Sequence, residues 1–254
     1  PDSNQNLGYV DRSSNEITIE LCDGRELTIT QSMHALGSTK ETSSTGFICW
    51  KSSVYFVEWI FQLKCPITFT NSTILEFGAG VGGILASVLA PLTDHYIATD
   101  QKHILKLLKH NIAENIDATN MASTTIDLQV SKNKKLQRNR RIDVIEFDWE
   151  HLRFSQDSYS LLMGNAMPDL IVACDTIYNE YLVPFFVEAL KAMLSPTSGA
   201  LVVAQLRNPE VIQYFVEQVL HHDLKLYYIA ESLLSAELAR GYVVYYIKTQ
   251  SREE

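Results

Sequence analysis

Four glycines lie within residues 78–83, directly after the apolar run Thr-Ile-Leu-Glu-Phe that ends at residue 77. Residues without a side chain let the backbone approach a ligand or a neighbouring helix closely. Gly78, Gly80 and Gly83 fit the spacing G-x-G-x-x-G, which dinucleotide-binding folds use around a pyrophosphate. The spacing alone is a weak signal, because close packing of a helix on a strand produces it too.

Two acidic residues narrow the choice of ligand. Glu76 precedes the first glycine by two positions, and Asp100 ends the next apolar run. An inward carboxylate at Glu76 would repel a pyrophosphate and favour a cationic ligand, such as S-adenosylmethionine with its ammonium and sulfonium groups. Asp100 is placed to accept both hydroxyls of a ribose, a role common to NAD and S-adenosylmethionine proteins. Glu76 therefore favours S-adenosylmethionine over NAD, whereas Asp100 suits either cofactor.

Two further pairs of residues follow later apolar runs. Asp148-Trp149 offers an acceptor and an indole where an adenine ring would lie, and Asp175 and Tyr178 lie in the segment Ala-Cys-Asp-Thr-Ile-Tyr-Asn. Ligands of open α/β sheets bind along the edge formed by the carboxyl ends of the strands. We therefore expect all these side chains to meet at one edge of a sheet.

Apolar periodicity predicts the elements that position these residues. A hairpin over residues 17–30 turns at Asp23-Gly24, and a helix follows over residues 53–63. Strands are predicted over residues 73–78, 95–100, 142–149, 169–175, 200–206, 224–231 and 242–248. The first five of these seven strands alternate with helices.

This alternation predicts an α/β fold. We expect a Rossmann-like, mostly parallel sheet of seven strands with helices on both faces, an antiparallel last strand and the hairpin as an N-terminal extension. The extension is assigned residues 1–50 and the seven-strand domain residues 51–254. Because residue 1 is Pro, we expect the chain to begin inside a longer reading frame.

Charge is unevenly distributed along the chain. The 21 basic and 30 acidic residues give a formal net charge of −9, which disfavours general nucleic-acid binding. Six of the cations fall within ten residues: Lys132, Lys134, Lys135, Arg138, Arg140 and Arg141. A basic segment on an acidic body could suit a substrate protein that is itself bound to RNA, or it could be a solvated insertion without a partner.

The remaining composition indicates a protein of a reducing compartment. Four scattered cysteines form no CxxC pair, no His lies at metal-ligand spacing, and no apolar run reaches the ~18 residues of a membrane helix. We therefore expect free thiols, no metal, no membrane partner and a cytoplasmic monomer.

The motifs resemble those of a known enzyme family. Residues 75–83, Leu-Glu-Phe-Gly-Ala-Gly-Val-Gly-Gly, resemble the E/D-x-G-x-G-x-G signature of seven-strand S-adenosylmethionine-dependent methyltransferases. Residues 175–178, Asp-Thr-Ile-Tyr, resemble the D-x-x-Y motif of their protein-lysine methyltransferase branch, methyltransferase-like family 16. The Gly-Phe-Ile-Cys-Trp segment that ends at residue 50 resembles the entry of that branch, including fungal enzymes that act on ribosomal proteins.

The resemblance implies a role for each matching residue. Gly78, Ala79 and Gly80 would line the methionine end of S-adenosylmethionine, with Glu76 near its ammonium. The other cofactor contacts implied are Asp100 on the ribose, Trp149 and Asp148 at the adenine, Trp50 covering the cofactor, and Cys174 through its backbone. Asp175 and Tyr178 would be catalytic, orienting the lysine of a protein substrate, for which the resemblance implies a ribosomal or RNA-associated protein.

Several alternatives stay open at this stage. Trp50 and Trp149 could be core aromatics, Asp175 a helix cap and Tyr178 a packed ring. An NAD-dependent oxidoreductase and a non-catalytic binding module are the competing functions. An amino-methyltransferase of nucleic acid is less consistent, because residues 174–178, Cys-Asp-Thr-Ile-Tyr, lack the prolines of its D/N-P-P-Y/F motif.

Overall fold

The computed structural model describes residues 8–11, 13–33, 45–62, 65–128 and 140–250. The strands are β1 (Glu16–Glu20), β2 (Glu26–Thr30), β3 (Thr73–Phe77), β4 (His95–Asp100), β5 (Met121–Ala122), β6 (Arg140–Glu146), β7 (Leu170–Cys174), β8 (Gly199–Gln205), β9 (Leu224–Tyr228) and β10 (Tyr242–Thr249). The α-helices are α1 (Lys51–Phe61), α2 (Ile84–Leu89), α3 (Leu105–Asn115), α4 (Leu152–Met163), α5 (Val183–Met193) and α6 (Pro209–His221).

The central sheet has the strand order β5-β6-β4-β3-β7-β8-β10-β9. The first six strands in this spatial order, which include β3 and β4, pair in parallel. Strand β10 runs antiparallel to both β8 and β9. The predicted fold is therefore confirmed, with the two-residue β5 as an addition. In β7 all five residues are buried, as expected for a parallel strand that is covered on both faces.

Alternate residues of β3 serve two hydrophobic cores. Ile74 belongs to the core beneath α1, α2, α3 and the hairpin, whereas Leu75 and Phe77 belong to the core beneath α4, α5 and α6. This division follows from the two-residue period of a strand, which sends successive side chains to opposite faces. With both faces occupied, the open edge at the carboxyl ends of the strands is left for a ligand.

The hairpin formed by β1 and β2 is held to helix α3 by two asparagine side chains. Asn111 accepts from the Thr30 N–H at 2.9 Å and donates to the Thr30 carbonyl at 2.7 Å. Asn115, one helical turn later, makes the same pair of bonds with Thr28 at 2.9 and 2.8 Å. The two amides therefore replace a neighbouring strand along the edge of β2.

The boundary assigned at residue 50 stays a prediction.

Helix α4 is the main element that the sequence analysis did not identify. Only Ser155 and Tyr159 are buried along it, whereas Phe154 and Leu161 are 56% and 90% exposed. These two exposed apolar residues lie off the face that packs on the core, and they obscure its helical period in the sequence. The helix predicted over residues 53–63 begins two residues earlier, as α1.

Part of the basic segment lies outside the described residues, namely Lys132, Lys134, Lys135 and Arg138. The two cations that are described begin strand β6. Arg140 donates to the carbonyl of Pro91, and a guanidinium nitrogen of Arg141 lies 3.4 Å from a carboxylate oxygen of Asp143. These two arginines take part in the fold.

The helices in the described part of the chain are all too short or too polar to span a membrane. Over the same residues, no group of His, Cys, Asp and Glu side chains is arranged to hold a metal ion. Cys22, Cys49, Cys65 and Cys174 are all free thiols, as the sequence predicts.

The carboxylate of Asp143 is fully buried and joins β6 to β4 and to the segment after β5. One oxygen accepts from the backbone N–H groups of Thr124 and Thr125 at 2.7 and 3.1 Å, and also from their hydroxyls. The other oxygen lies 2.8 Å from Nε2 of His95. Burial by itself would raise the pKa of Asp143, but these hydrogen bonds outweigh it and hold the pKa well below its ordinary value.

We predict that Asp143→Asn lowers the free energy of unfolding by roughly 3 kcal/mol at pH 7, because the amide removes the negative charge and the second acceptor oxygen, which lies beside His95. The depressed pKa gives stabilisation that is complete above the unfolded value of about 3.9 and is lost as pH falls below it. Urea unfolding at pH 7 measures the loss. The exposed Asp127 supplies the control, and Asp127→Asn should change stability by less than about 0.5 kcal/mol.

Candidate functional site

A cavity opens at the carboxyl ends of the parallel strands. Its volume is about 810 Å³ including its open mouth. Nine of the eleven predicted site residues line it, namely Trp50, Gly78, Gly80, Asp100, Asp148, Trp149, Cys174, Asp175 and Tyr178. Glu76 and Ala79 are not among the lining residues.

The glycines of the loop after β3 have two different structural roles. Gly78 and Gly80 have φ of +69° and +60°, and a Cβ at Gly78 would lie 2.8 Å from Cγ2 of Thr176. Gly83 instead faces α3, where a Cβ would lie 2.8 Å from side-chain carbons of Leu108 and Ile112. The first two glycines therefore shape the cavity, and the last allows a helix to pack.

Asp100 connects the end of β4 to the glycine loop. Its carboxylate accepts from the backbone N–H of Gly80 and from that of Gln101, both at 2.8 Å. Desolvation raises the pKa of Asp100 to about 6, although these two hydrogen bonds act in the opposite direction. The side chain is thus held rigidly on the cavity wall as an acceptor that ionises near neutral pH.

Glu76 lies beneath the loop, outside the cavity lining. It is 2% exposed and accepts a hydrogen bond of 2.9 Å from the hydroxyl of Tyr96. Desolvation raises the pKa of Glu76 to about 8, against the lowering effect of that hydrogen bond. Its assignment to the ammonium of the cofactor stays a prediction, and it would have to act through intervening groups.

Trp149 and Asp148 occupy the predicted adenine side of the cavity. The indole packs against Phe77 and Phe186, with ring centroids 6.2 and 5.0 Å apart. Its Nε1 is buried without a hydrogen-bond partner, which a core tryptophan would usually have. Asp148 accepts from the N–H of Glu150 at 3.1 Å, and so caps the short helix that presents the indole.

Asp175 follows β7 in a left-handed backbone conformation, with φ of +57°. Its side chain is 3% exposed, and its Oδ2 accepts from Nη2 of Arg207. Its Oδ1 is buried with no hydrogen-bond partner. Burial raises the pKa of Asp175, although Arg207 acts to lower it. Asp175 does not cap the following short helix, because Asn179 does so by accepting from the Tyr181 N–H.

Residues that precede the sheet cover the cavity from the other side. The hydroxyl of Thr45 donates to the hydroxyl oxygen of Tyr178 at 3.0 Å, and the carbonyl of Thr45 accepts from the Trp50 indole at 3.1 Å. The carbonyl of Gly46 accepts from the N–H of Val81, in the glycine loop, at 2.8 Å. The sequence analysis assigned no role to Thr45 or Gly46, although Gly46 begins the motif that ends at Trp50 and Thr45 directly precedes it.

The described residues include five buried side-chain polar atoms without a hydrogen-bond partner. Three belong to residues that line the cavity, namely Nε1 of Trp149, Oδ1 of Asp175 and Oγ1 of Thr176. Buried polar groups are rarely left unpaired, so this concentration indicates a site built for a polar ligand. The carboxylate acceptors and the Trp149 indole suit a cofactor that carries an amino acid, a ribose and an adenine.

A family profile described as lysine methyltransferase matches residues 26–147 and 129–221, well over half of the chain. The chain belongs to the lysine methyltransferase family. It is 29% identical over 307 residues to ribosomal lysine N-methyltransferase 5 of Lachancea thermotolerans, covering 97% of this chain and 90% of that protein. The protein of the same name from Kluyveromyces lactis is 28% identical, covering 86% and 83%.

Solved structures agree with this fold. The 16S rRNA N2 G1207 methyltransferase of T. Thermophilus, solved with AdoMet and guanosine, has a TM-score of 0.53 and 15% identity. The match covers 92% of this chain and half of that one. A fibrillarin pre-rRNA processing protein of Methanococcus jannaschii has a TM-score of 0.51 and 14% identity, covering 94% and 96%.

Family membership confirms the predicted class of reaction. This lysine methyltransferase uses S-adenosylmethionine as its cofactor, and the residues around the cavity fit that molecule. The competing NAD-dependent oxidoreductase receives no support. The roles assigned to individual cavity residues stay predictions.

We predict that Gly78→Ala weakens binding of S-adenosylhomocysteine by at least about tenfold, because the added methyl group meets Thr176 in a strained backbone conformation. Calorimetric titration measures the affinity. Gly24 in the hairpin turn has φ of +82° and open space around it, so Gly24→Ala adds strain without a contact. Equal affinities for the two variants would contradict a role for Gly78 in the cavity.

We also predict that S-adenosylhomocysteine affinity falls as pH decreases through about 6, the pKa of Asp100, since only the ionised carboxylate can accept both ribose hydroxyls. The decline should approach about tenfold per pH unit below that value. Titrations between pH 5 and 7.5 measure it. Asp100→Asn should bind more weakly and lose most of the pH dependence, and a flat wild-type profile would exclude the role.

Proposed function

We propose that this enzyme methylates a lysine side chain of a ribosomal protein, acting in the cytoplasm as a monomer. The relatives that match most of the chain carry the name ribosomal lysine N-methyltransferase, which supports this class of substrate. The observation that carries the proposal is Asp175, whose Oδ1 is buried on the cavity wall and has no hydrogen-bond partner. An ammonium or amine donor would satisfy that oxygen.

Asp175 would orient the acceptor nitrogen. A lysine N–H that donates to Oδ1 points its lone pair in a fixed direction, and alignment is most of what a protein adds to an in-line displacement. The left-handed backbone at Asp175 and the bond to Arg207 hold the carboxylate in one position. Tyr178 lies on the same cavity wall, held by Thr45, and would restrict the lysine side chain.

S-adenosylmethionine supplies the methyl group as an electrophilic sulfonium. The lysine nitrogen must attack in its neutral form, although its ordinary pKa of about 10.4 keeps it protonated in water. A pocket walled by Trp50, Trp149 and Tyr178 favours the neutral amine by excluding water. Water takes the proton before the amine enters, so Asp175 does not need to act as a strong base.

The substrate itself supplies a reason for the uneven charge of the enzyme. Ribosomal proteins are basic and bound to RNA, so an acidic body would attract them electrostatically. We propose no sequence-specific binding of nucleic acid by the enzyme.

The test is transfer of a labelled methyl group from S-adenosylmethionine to ribosomal proteins, supplied as intact subunits and as extracted proteins. Hydrolysis and amino-acid analysis should recover methylated lysine. We predict that Asp175→Asn lowers the turnover rate by about a hundredfold while S-adenosylhomocysteine affinity is preserved. Asn is chosen because it tolerates the left-handed backbone at this position.

Asp157, exposed on helix α4, supplies the matched control, and Asp157→Asn should retain wild-type turnover. Normal turnover by Asp175→Asn would refute the role of this carboxylate. Cofactor binding without transfer to any lysine would favour the non-catalytic binding module instead.

A further inference from the structure

We propose that Arg207 is a positioning residue for the acceptor lysine: it holds one oxygen of Asp175 and keeps the carboxylate ionised, with the other oxygen left for the substrate. This inference rests on the function proposed above. The sequence analysis assigned no role to Arg207, which lies two residues beyond the carboxyl end of β8. Its position follows the same sheet-edge rule that identified Asp100 and Asp175.

The guanidinium of Arg207 is fixed by three groups. Its Nη2 donates to Oδ2 of Asp175, and its Nε donates to Oε1 of Gln205 at 2.5 Å. Its central carbon lies 4.6 Å from the centroid of the Trp50 ring, within the range of a cation–π interaction. The N-terminal segment approaches closely as well, because a Cβ at Gly8 would lie 3.1 Å from Nη2.

The two oxygens of Asp175 are therefore not equivalent. Oδ2 accepts from Arg207 and, at 3.4 Å, from the hydroxyl of Ser52 on helix α1. Oδ1 has no hydrogen-bond partner. A lysine that enters the cavity can bind Oδ1 without displacing the arginine. The carboxylate would then bridge a permanent cation and the substrate nitrogen.

Arg207 is the cation whose positive charge offsets the desolvation of the Asp175 carboxylate. The other groups facing Asp175 are neutral or donate single hydrogen bonds: Ser52, the backbone of Gln205 at the end of β8, and Tyr242 of β10. Burial, and then the charge of Asp175, raise the pKa of Tyr242 to about 12, so the phenol stays neutral at working pH. In the described part of the chain, Arg207 is the one residue in an ion pair with Asp175.

A fixed positive charge beside the acceptor site also acts on the substrate. Like charges disfavour each other's ionised form, so Arg207 lowers the pKa of a lysine ammonium that comes to the same carboxylate. The neutral amine is the form that attacks the methyl group. Arg207 would thus serve the reaction through both partners, by keeping Asp175 an acceptor and by favouring a deprotonated nitrogen.

The first test needs no substrate. The ionisation of Asp175 can be followed by carbon-13 NMR of labelled aspartate carboxyls, with the signal assigned by its absence in Asp175→Asn. In Arg207→Gln the titration should move up by about one pH unit or more, and in Arg207→Lys it should remain near the wild type. Identical titration of Asp175 in wild type and Arg207→Gln overturns the proposal.

The second test separates positioning from a merely structural role. In Arg207→Gln the acidic limb of the turnover profile should move to higher pH, whereas Arg207→Lys recovers most of the wild-type profile. Because Arg207 also packs on Trp50, S-adenosylhomocysteine affinity is measured in both variants, so that a change in cofactor binding is separated from the shift of the turnover profile. Arg153, exposed on α4, supplies the control, and Arg153→Gln should retain the wild-type profile.

Turnover could instead fall equally in Arg207→Gln and Arg207→Lys, with no shift of the pH profile. That result would show that Arg207 only supports Trp50 and Gln205, and it would overturn the proposal. Failure of the proposed function would be recognised separately, as a wild-type enzyme that transfers no methyl group to ribosomal proteins. The NMR titration would still decide whether Arg207 keeps Asp175 ionised.

Discussion

The hydrogen bond from the Gly80 N–H to Asp100 is the interaction on which the site depends. It ties the loop after β3 to the end of β4 at 2.8 Å. The adjacent backbone groups extend the connection, because Ala79 donates to the Thr99 carbonyl and Val81 donates to the Gly46 carbonyl. The Val81 carbonyl in turn accepts from the side chain of Asn111 at 2.7 Å. Three consecutive positions of one loop thus join two strands, a helix and the N-terminal segment.

This arrangement explains why the cavity has walls from both ends of the chain. The loop carries the positive φ angles that bring backbone to the ligand, and its neighbours bring Trp50 and Thr45 over the opening. Arg207, which follows β8, then connects Trp50 to Asp175. The proposed cofactor and lysine sites therefore belong to one cavity and share its supports.

The sequence identified most of this site because parallel strands place their carboxyl ends together. Apolar runs located β3, β4 and β7, and the polar residues that follow them, Gly78, Asp100 and Asp175, all line the cavity. The same reasoning missed Arg207, since an arginine after a strand is common on exposed surfaces and its ion pair is made in three dimensions. Glu76 shows a second limit of sequence reasoning. Periodicity indicates that this carboxylate is buried, but it does not indicate whether the carboxylate faces a ligand or a tyrosine.

Helix α4 and the basic segment show where pattern ceases to be informative. In α4 the exposed Phe154 and Leu161 obscure the apolar period of the buried face, and a run of lysines indicates charge without position. Arg141 illustrates this, for it belongs to the basic segment by sequence yet lies against the buried carboxylate of Asp143. Tertiary contacts decided its role.

Asn111 and Asn115 have a consequence for how this protein avoids aggregation. A two-stranded hairpin has unpaired backbone along its edges, and such edges can recruit strands of other molecules. Here the amides of α3 saturate the N–H and carbonyl groups of Thr28 and Thr30 on β2. A strand of another molecule cannot pair with these groups, because they are already hydrogen-bonded. The helix that supports the glycine loop therefore also protects the hairpin edge.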